Sequence, residues 1–184
     1  MTISSTPDAD SLAAVEARID RRRDQYALPE GHVAEADSPW LPFVPQVMIK
    51  HLTFDIRSSS AANVLWVQAG GELGRHRHRG PVSGYVLDGS WRYLEYDWVG
   101  RPGDFIRESP GRTHTLVSDE GMKTVFWLNG PVEFLDEQNR VTEVIDVFWF
   151  IDHYERGCQE QGIPINRRST CDPVEPPARS TMNS

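Results

Sequence analysis

Between residues 46 and 145 the chain keeps one rhythm: a short run rich in β-branched and aromatic residues, then a Gly or Pro break. Such runs lie at 46–57, 62–69, 82–88, 91–98, 104–108, 113–118, 122–129, 132–135 and 140–145. Gly70-Gly71, Gly89, Pro102-Gly103, Pro110-Gly111 and Gly130-Pro131 separate most of them. Many short strands at this spacing predict an all-β barrel or sandwich. A chain of 184 residues suffices for one such domain with a real core and is short for two.

The flanks read differently. Leu12, Val15 and Ile19 recur at helical spacing, which predicts a helix from Ser11 to about Tyr26 with Asp10 or Ser11 as its cap. Arg21-Arg22-Arg23 then forms its solvated C-terminal end, where cations suit the helix dipole. Pro29, Pro42 and Pro45 mark residues 27–45 as an extended entry segment. After the strands, Asp146 can cap a second helix whose apolar stripe is Val147, Phe150, Ile151, Tyr154 and Cys158, ended by Gly162 and Pro164. The expected organisation is an arm and helix over 1–35, a barrel over 36–145, a helix over 146–162 and a polar tail over 163–184.

Composition excludes some functions. A net charge of -8 argues against nucleic acid, whose phosphates call for a basic face. The two cysteines, Cys158 and Cys171, have neither metal nor redox spacing, so a reducing compartment is expected. Residues 1–10 are polar, without the apolar stretch of a signal peptide, and no run is long enough to span a membrane. A cytoplasmic location is expected.

The residues that point to chemistry are histidines. His76 and His78 are one residue apart, so on a strand they share a face. His114 follows the Pro110-Gly111 turn, where a second strand can bring it to the same place. Three imidazoles on one face, with no neighbouring partner charge evident, suggest a divalent metal with open positions. His32, His51 and His153 fall outside this pattern and read as surface or hydrogen-bonded structural histidines, His153 on the less apolar side of its helix.

These residues resemble the cupin superfamily. Gly70 followed after five residues by His76-Arg77-His78 is similar to the first cupin motif, and Gly103-Asp104 through Pro110-Gly111-Arg112-Thr113-His114 to the second. The hairpin at Tyr85–Gly89 joins them. The resemblance implies a single-domain all-β cupin barrel of jelly-roll type with an N-terminal and a C-terminal helix. Cupins often carry a metal-binding Glu seven residues before the hairpin glycine. That position is Val82, so the site reads as three neutral histidines. Such a set leaves a ferrous ion with two positive charges, which favours a chelating anion.

Two further segments, Gly80–Glu95 and Val147–Glu155, resemble the 2,4'-dihydroxyacetophenone dioxygenase family. The resemblance covers about residues 36–163. It implies an Fe(II) cofactor on His76, His78 and His114, and a small aromatic ketone and O2 as substrates. The implied reaction cleaves the bond between a ketone carbon and its hydroxylated neighbour, giving 4-hydroxybenzoate and formate. It also implies a homo-oligomer, dimer or tetramer. Two rivals remain open: a three-histidine cupin dioxygenase that cleaves a β-diketone, and a non-catalytic zinc-binding sensor cupin.

Other residues can be placed by counting from Gly89 in steps of two. Trp91, Tyr93 and Glu95 then share one face, which by cupin analogy is the barrel interior. Val82, Trp91 and Tyr93 become candidates for the wall of the substrate pocket. Glu95 becomes a candidate base, or an acceptor for a ligand imidazole, as does Glu108, six residues before His114. Tyr93 is a third candidate catalytic group. Arg75, Arg77 and Arg79 alternate with the histidines and are expected to face away. Trp149, off the main helix stripe, is expected at the pocket mouth or against a second subunit.

Overall fold

The computed structural model describes residues 9–26, with side chains over 12–20, and residues 31–166. The chain divides between Gly31 and His32 into two units. The first contains helix α1, Ala9–Tyr26, so the predicted caps Asp10 and Ser11 lie within the helix. The side chains of Arg21–Arg23 and residues 167–184 lie outside the described residues. No helix among the described residues is long and apolar enough to cross a membrane.

The second unit is built from two antiparallel sheets. One has six strands in the order β1 (Leu41–Val44), β2 (Val47–Asp55), β3 (Ser60–Val67), β9 (Met122–Asn129), β5 (Val82–Gly89) and β7 (Phe105–Glu108). The other has five, in the order β11 (Val141–Ile145), β10 (Val132–Leu135), β4 (Gly71–His78), β8 (Thr113–Ser118) and β6 (Arg92–Tyr93). The all-β expectation holds, with two corrections. Part of the predicted entry segment pairs as β1. The run 91–98 yields only the two-residue strand β6, because the chain turns after Tyr93 and its Tyr96 N–H donates back to the Tyr93 carbonyl.

Alternation fills the space between the sheets. Val82, Gly84 and Val86 of β5 are buried while Tyr85 and Leu87 are exposed. Gly89 lies at φ 68°, and a Cβ there would meet the Gly121 carbonyl oxygen at 1.9 Å, so both conformation and space require glycine.

Helix α2 (Val147–Gln161) starts where Asp146 accepts a hydrogen bond from the Trp149 N–H at 2.9 Å and ends at a left-handed Gly162. Val147, Phe150, Tyr154 and Cys158 are buried, as the stripe predicts, while Ile151 is only partly so. His153 is buried too, although it falls on the less apolar side of the helix. The helix lies close enough to the barrel for its Gly157 to matter: a Cβ there would stand 2.2 Å from Leu41 Cδ2. Gly157→Ala is therefore expected to cost about 1–3 kcal/mol through overpacking, measured as a shift of the urea midpoint. Residues 163–166 are also tied down, with the Asn166 N–H donating to the Tyr154 hydroxyl at 3.0 Å.

A buried polar chain links this helix to the barrel. His153 Nε2 lies 3.0 Å from the Pro42 carbonyl oxygen, and His153 Nδ1 lies 3.0 Å from His51 Nε2. His51 Nδ1 in turn lies 2.7 Å from the side-chain amide of Asn63. These two histidines are hydrogen-bonded structural residues, while His32 is exposed.

Candidate metal centre

His76 and His78 lie on β4 and His114 on the adjacent β8, where His76 and His114 are directly opposed. The register between these strands slips by one residue between Leu73 and His76. This bulge sets the site. Leu73 faces the interior, and strict alternation from it would send His76 and His78 outward. The extra residue shifts the parity so that Leu73, His76 and His78 all face inward. The bulge also leaves the Gly74 carbonyl 2.7 Å from His76 Nδ1. With Nδ1–H donating there, Nε2 carries the lone pair that a metal needs.

The ligand atoms of the three histidines all lie within 4.8 Å of one another, and all three rings are buried. Ring centroids are 4.6 Å apart for His76 and His114, 5.1 Å for His76 and His78 and 5.7 Å for His78 and His114. Burial pushes the His76 pKa down to about 4 and that of His114 to about 3. His78 is held well below its usual value, chiefly by burial and then by its two histidine neighbours. All three are neutral donors at neutral pH.

A carboxylate lies against this cluster. Glu108 is paired with Val82 across β5 and β7, beside the position where a cupin glutamate would stand. Its Oε2 lies 3.2 Å from His78 Nε2 and 3.4 Å from His114 Nε2. The reading of three histidines with no partner charge is therefore corrected: the carboxylate comes from the neighbouring strand. Tyr93 donates to the other oxygen, Oε1, at 2.5 Å and stacks on His114 at 3.9 Å between ring centroids. One tyrosine thus fixes both a histidine and the glutamate. Burial raises the Glu108 pKa to about 7, opposed by the Tyr93 hydrogen bond. The Tyr93 phenol is pushed well above its ordinary value by burial and by the adjacent carboxylate.

The residues fit a divalent metal. His114 Nε2 and Glu108 Oε2 are both buried without a hydrogen-bond partner, yet they converge with the other imidazoles. Burying such atoms unpaired costs about 1–3 kcal/mol each, and a cation held by the imidazoles would satisfy the nitrogen and offset the charge of the nearby carboxylate. Imidazole nitrogen with carboxylate oxygen suits several first-row metals, so the set does not choose among them.

Beside the cluster is an apolar cavity of about 40 Å³, several times the ~10–15 Å³ that holds a water. Phe43, Phe126, Phe134 and Phe150 contribute aromatic wall, and Val82 and Tyr93 line it as expected. Trp91 is fully buried but packs behind Tyr93, 5.1 Å between centroids, as core. A larger pocket of about 260 Å³ also reaches the cluster, lined by Tyr96, Trp98, Arg107 and Arg112 next to Glu108 and His114.

Glu95 is displaced from its expected place. It is exposed, because β6 ends at Tyr93 and the step-of-two count fails beyond it. Its carboxylate accepts from the Thr115 N–H at 2.8 Å and from the Thr115 hydroxyl at 3.1 Å. It thus braces β8 next to His114, opposite the bulge. Arg77 and Arg79 face away, as expected, and both bind Glu133, at 2.6 and 2.7 Å. Arg75 reaches Asn139. Trp149 neither lines the cavity nor stands free: it stacks on His153 at 4.8 Å and packs on Phe43. Sequence reasoning missed Asn63, which also lines the cavity. An isolated Asn in an otherwise apolar strand was the available signal.

Two facing antiparallel sheets with imidazoles converging from adjacent strands define a cupin. More narrowly, the chain belongs to the ChrR cupin-like domain family, which matches residues 29–133. An RmlC-like cupin protein from Ralstonia eutropha is 31% identical, over 79% of this chain and 98% of that one, with a TM-score of 0.74. A second protein from R. eutropha, of unknown function and cupin-like fold, is 21% identical over 71% of this chain and 86% of its own, with a TM-score of 0.65. An acetylacetone dioxygenase from Acinetobacter johnsonii shares the fold at 14% identity, over 85% of this chain and 99% of that one, with a TM-score of 0.64. No curated protein matches the chain.

Proposed function

We propose that this cupin is a non-haem Fe(II) dioxygenase that cleaves an aryl α-hydroxyketone, converting 2,4'-dihydroxyacetophenone and O2 to 4-hydroxybenzoate and formate. The observation that carries this reading is the buried cluster of His76, His78 and His114 at the edge of an aromatic-walled cavity, with the Glu108 carboxylate against two of its nitrogens. The resemblance of Gly80–Glu95 and Val147–Glu155 to enzymes of that activity supports the substrate.

His76, His78 and His114 would hold the metal. When bound, Fe(II) supplies the one-electron chemistry that lets singlet organic substrates react with triplet O2. The chain's own residues do the rest. Glu108 Oε2 takes the proton that the hydroxyketone loses on becoming an enediolate-type anion. Tyr93 keeps that carboxylate in place through Oε1 and holds the His114 ring by stacking. The phenylalanines exclude water and bind the ring, as apolar pockets with a few placed polar groups do.

The test is oxygen-isotope labelling. Under 18O2, one labelled atom is expected in each acid product, and label in only one product would overturn dioxygen insertion. A second reading, cleavage of a β-diketone, is favoured by the modest cavity and by the shared fold of the A. johnsonii enzyme. O2 uptake with each substrate in turn separates the two. Stoichiometric zinc and no uptake after iron reconstitution would instead mark a sensor cupin.

A further inference from the structure

Among the described residues, Asn63 is the one polar residue of the cavity wall outside the histidine cluster and the Tyr93–Glu108 pair. It is 1% exposed. Its Oδ1 lies 2.7 Å from His51 Nδ1, and its Nδ2 is buried without a partner among the described residues. In that orientation the chain from Asn63 to Pro42 is one proton short.

The far end shows why. The Pro42 carbonyl only accepts, so His153 Nε2 must carry the proton of their 3.0 Å contact. Both histidines are neutral, because burial holds the His51 pKa down to about 3 and lowers that of His153. A neutral His153 protonated at Nε2 is bare at Nδ1. His51 Nε2, 3.0 Å away, must then donate to it. His51 is consequently bare at Nδ1 and needs a donor. The two ends of a side-chain amide have the same shape, and only the hydrogen-bond network distinguishes them. The amide nitrogen of Asn63 therefore faces His51, and the carbonyl oxygen of this cavity-lining residue is the buried atom left without a partner among the described residues. No other neutral arrangement places one proton in each of the three contacts.

We propose that Asn63 is a specificity-determining residue: its carbonyl oxygen, oriented by the His51–His153 chain, accepts a hydrogen bond from the ring hydroxyl of a phenolic substrate. This rests on the aryl hydroxyketone reading and deepens it. A ketone whose oxygens face the histidines leaves its ring to the phenylalanines. A buried acceptor then rewards a ring that carries an O–H donor and penalises one that does not, because the unpaired carbonyl remains desolvated.

The test is equilibrium binding of three uncleavable ligands to the metal-loaded protein: 4-hydroxyacetophenone, 4-methoxyacetophenone and acetophenone. The hydroxy ligand is expected to bind at least about tenfold more tightly than either analogue. Asn63→Leu should remove that preference while leaving acetophenone affinity within a few-fold. Equal binding of all three by the wild-type protein, no binding of any, or a preference that survives in Asn63→Leu would overturn the proposal. Nitrogen-15 spectra of the wild-type protein give a second readout that needs no variant. His51 and His153 should both be the Nε2–H tautomer, and a His51 protonated at Nδ1 would overturn the assignment. If the binding preference is found but 2,4'-dihydroxyacetophenone drives no O2 uptake, the reaction reading fails and the Asn63 site stands.

Discussion

Alanine at His76, His78 or His114 is expected to leave the protein folded and without metal. The three rings contribute donors to one centre, so each substitution removes a ligand and leaves its neighbours unable to complete the set. Loss of a supporting group near a metal typically costs 10–100-fold in affinity, and loss of a ligand should exceed that. The measurement is metal content after dialysis against a weak chelator, alongside thermal unfolding. At a free metal concentration of 100 Kd, the wild-type protein gains about 2.7 kcal/mol of stability and its midpoint rises. The three variants should show no such rise. His32→Ala, at an exposed position outside the cluster, should retain it in full. A variant of the cluster that kept stoichiometric metal would remove that histidine from the centre.

The second large effect is sensitivity to acid. In the metal-free protein His51 is held neutral by burial, with its pKa lowered to about 3 from an ordinary 6.5. The unfolded chain therefore takes up a proton near pH 6.5 that the folded chain refuses until about pH 3. Stability is full above that upper value and falls as the pH descends through the window. Each unit of pH within the window is worth about 1.4 kcal/mol per group, so His51 alone removes about 3 kcal/mol by pH 4.5. His76 and His114, lowered in the same direction by burial, steepen the loss. Urea midpoints measured at pH 7.5 and 4.5 check this. His51→Gln should shrink the difference between them, and a midpoint independent of pH would contradict the neutral buried chain.

Much of this was legible in the sequence. The strand rhythm, the caps of α2 and the two histidine motifs are local signals, and each produced the expected structure. The misses share a cause. Counting in twos places Glu95 in the interior, and the count fails where β6 stops pairing after Tyr93. Glu108 is a candidate by its position before His114, but its approach to His78 and His114 depends on how the two sheets face each other, and no spacing within one strand encodes that. His51 and His153 lie 102 positions apart and were read singly, so their contact was invisible. Local chemistry writes itself into local pattern, whereas partners brought from opposite sides of a barrel do not.

The slip between Leu73 and His76 has one more consequence. A strand behaves like a wave of period two, and the bulge is a half-period phase jump placed just upstream of the ligands. Removing a single residue at Gly74 or Arg75 would erase the jump, because His76 would then stand two positions after Leu73, and the histidines would stay inside. What would go is the bent backbone that brings the Gly74 carbonyl to His76 Nδ1, and with it the contact that turns Nε2 toward the centre. The extra residue thus stores the aim of a ligand, and a descendant that lost one codon there would keep its three imidazoles inside the barrel while one of them lost its brace.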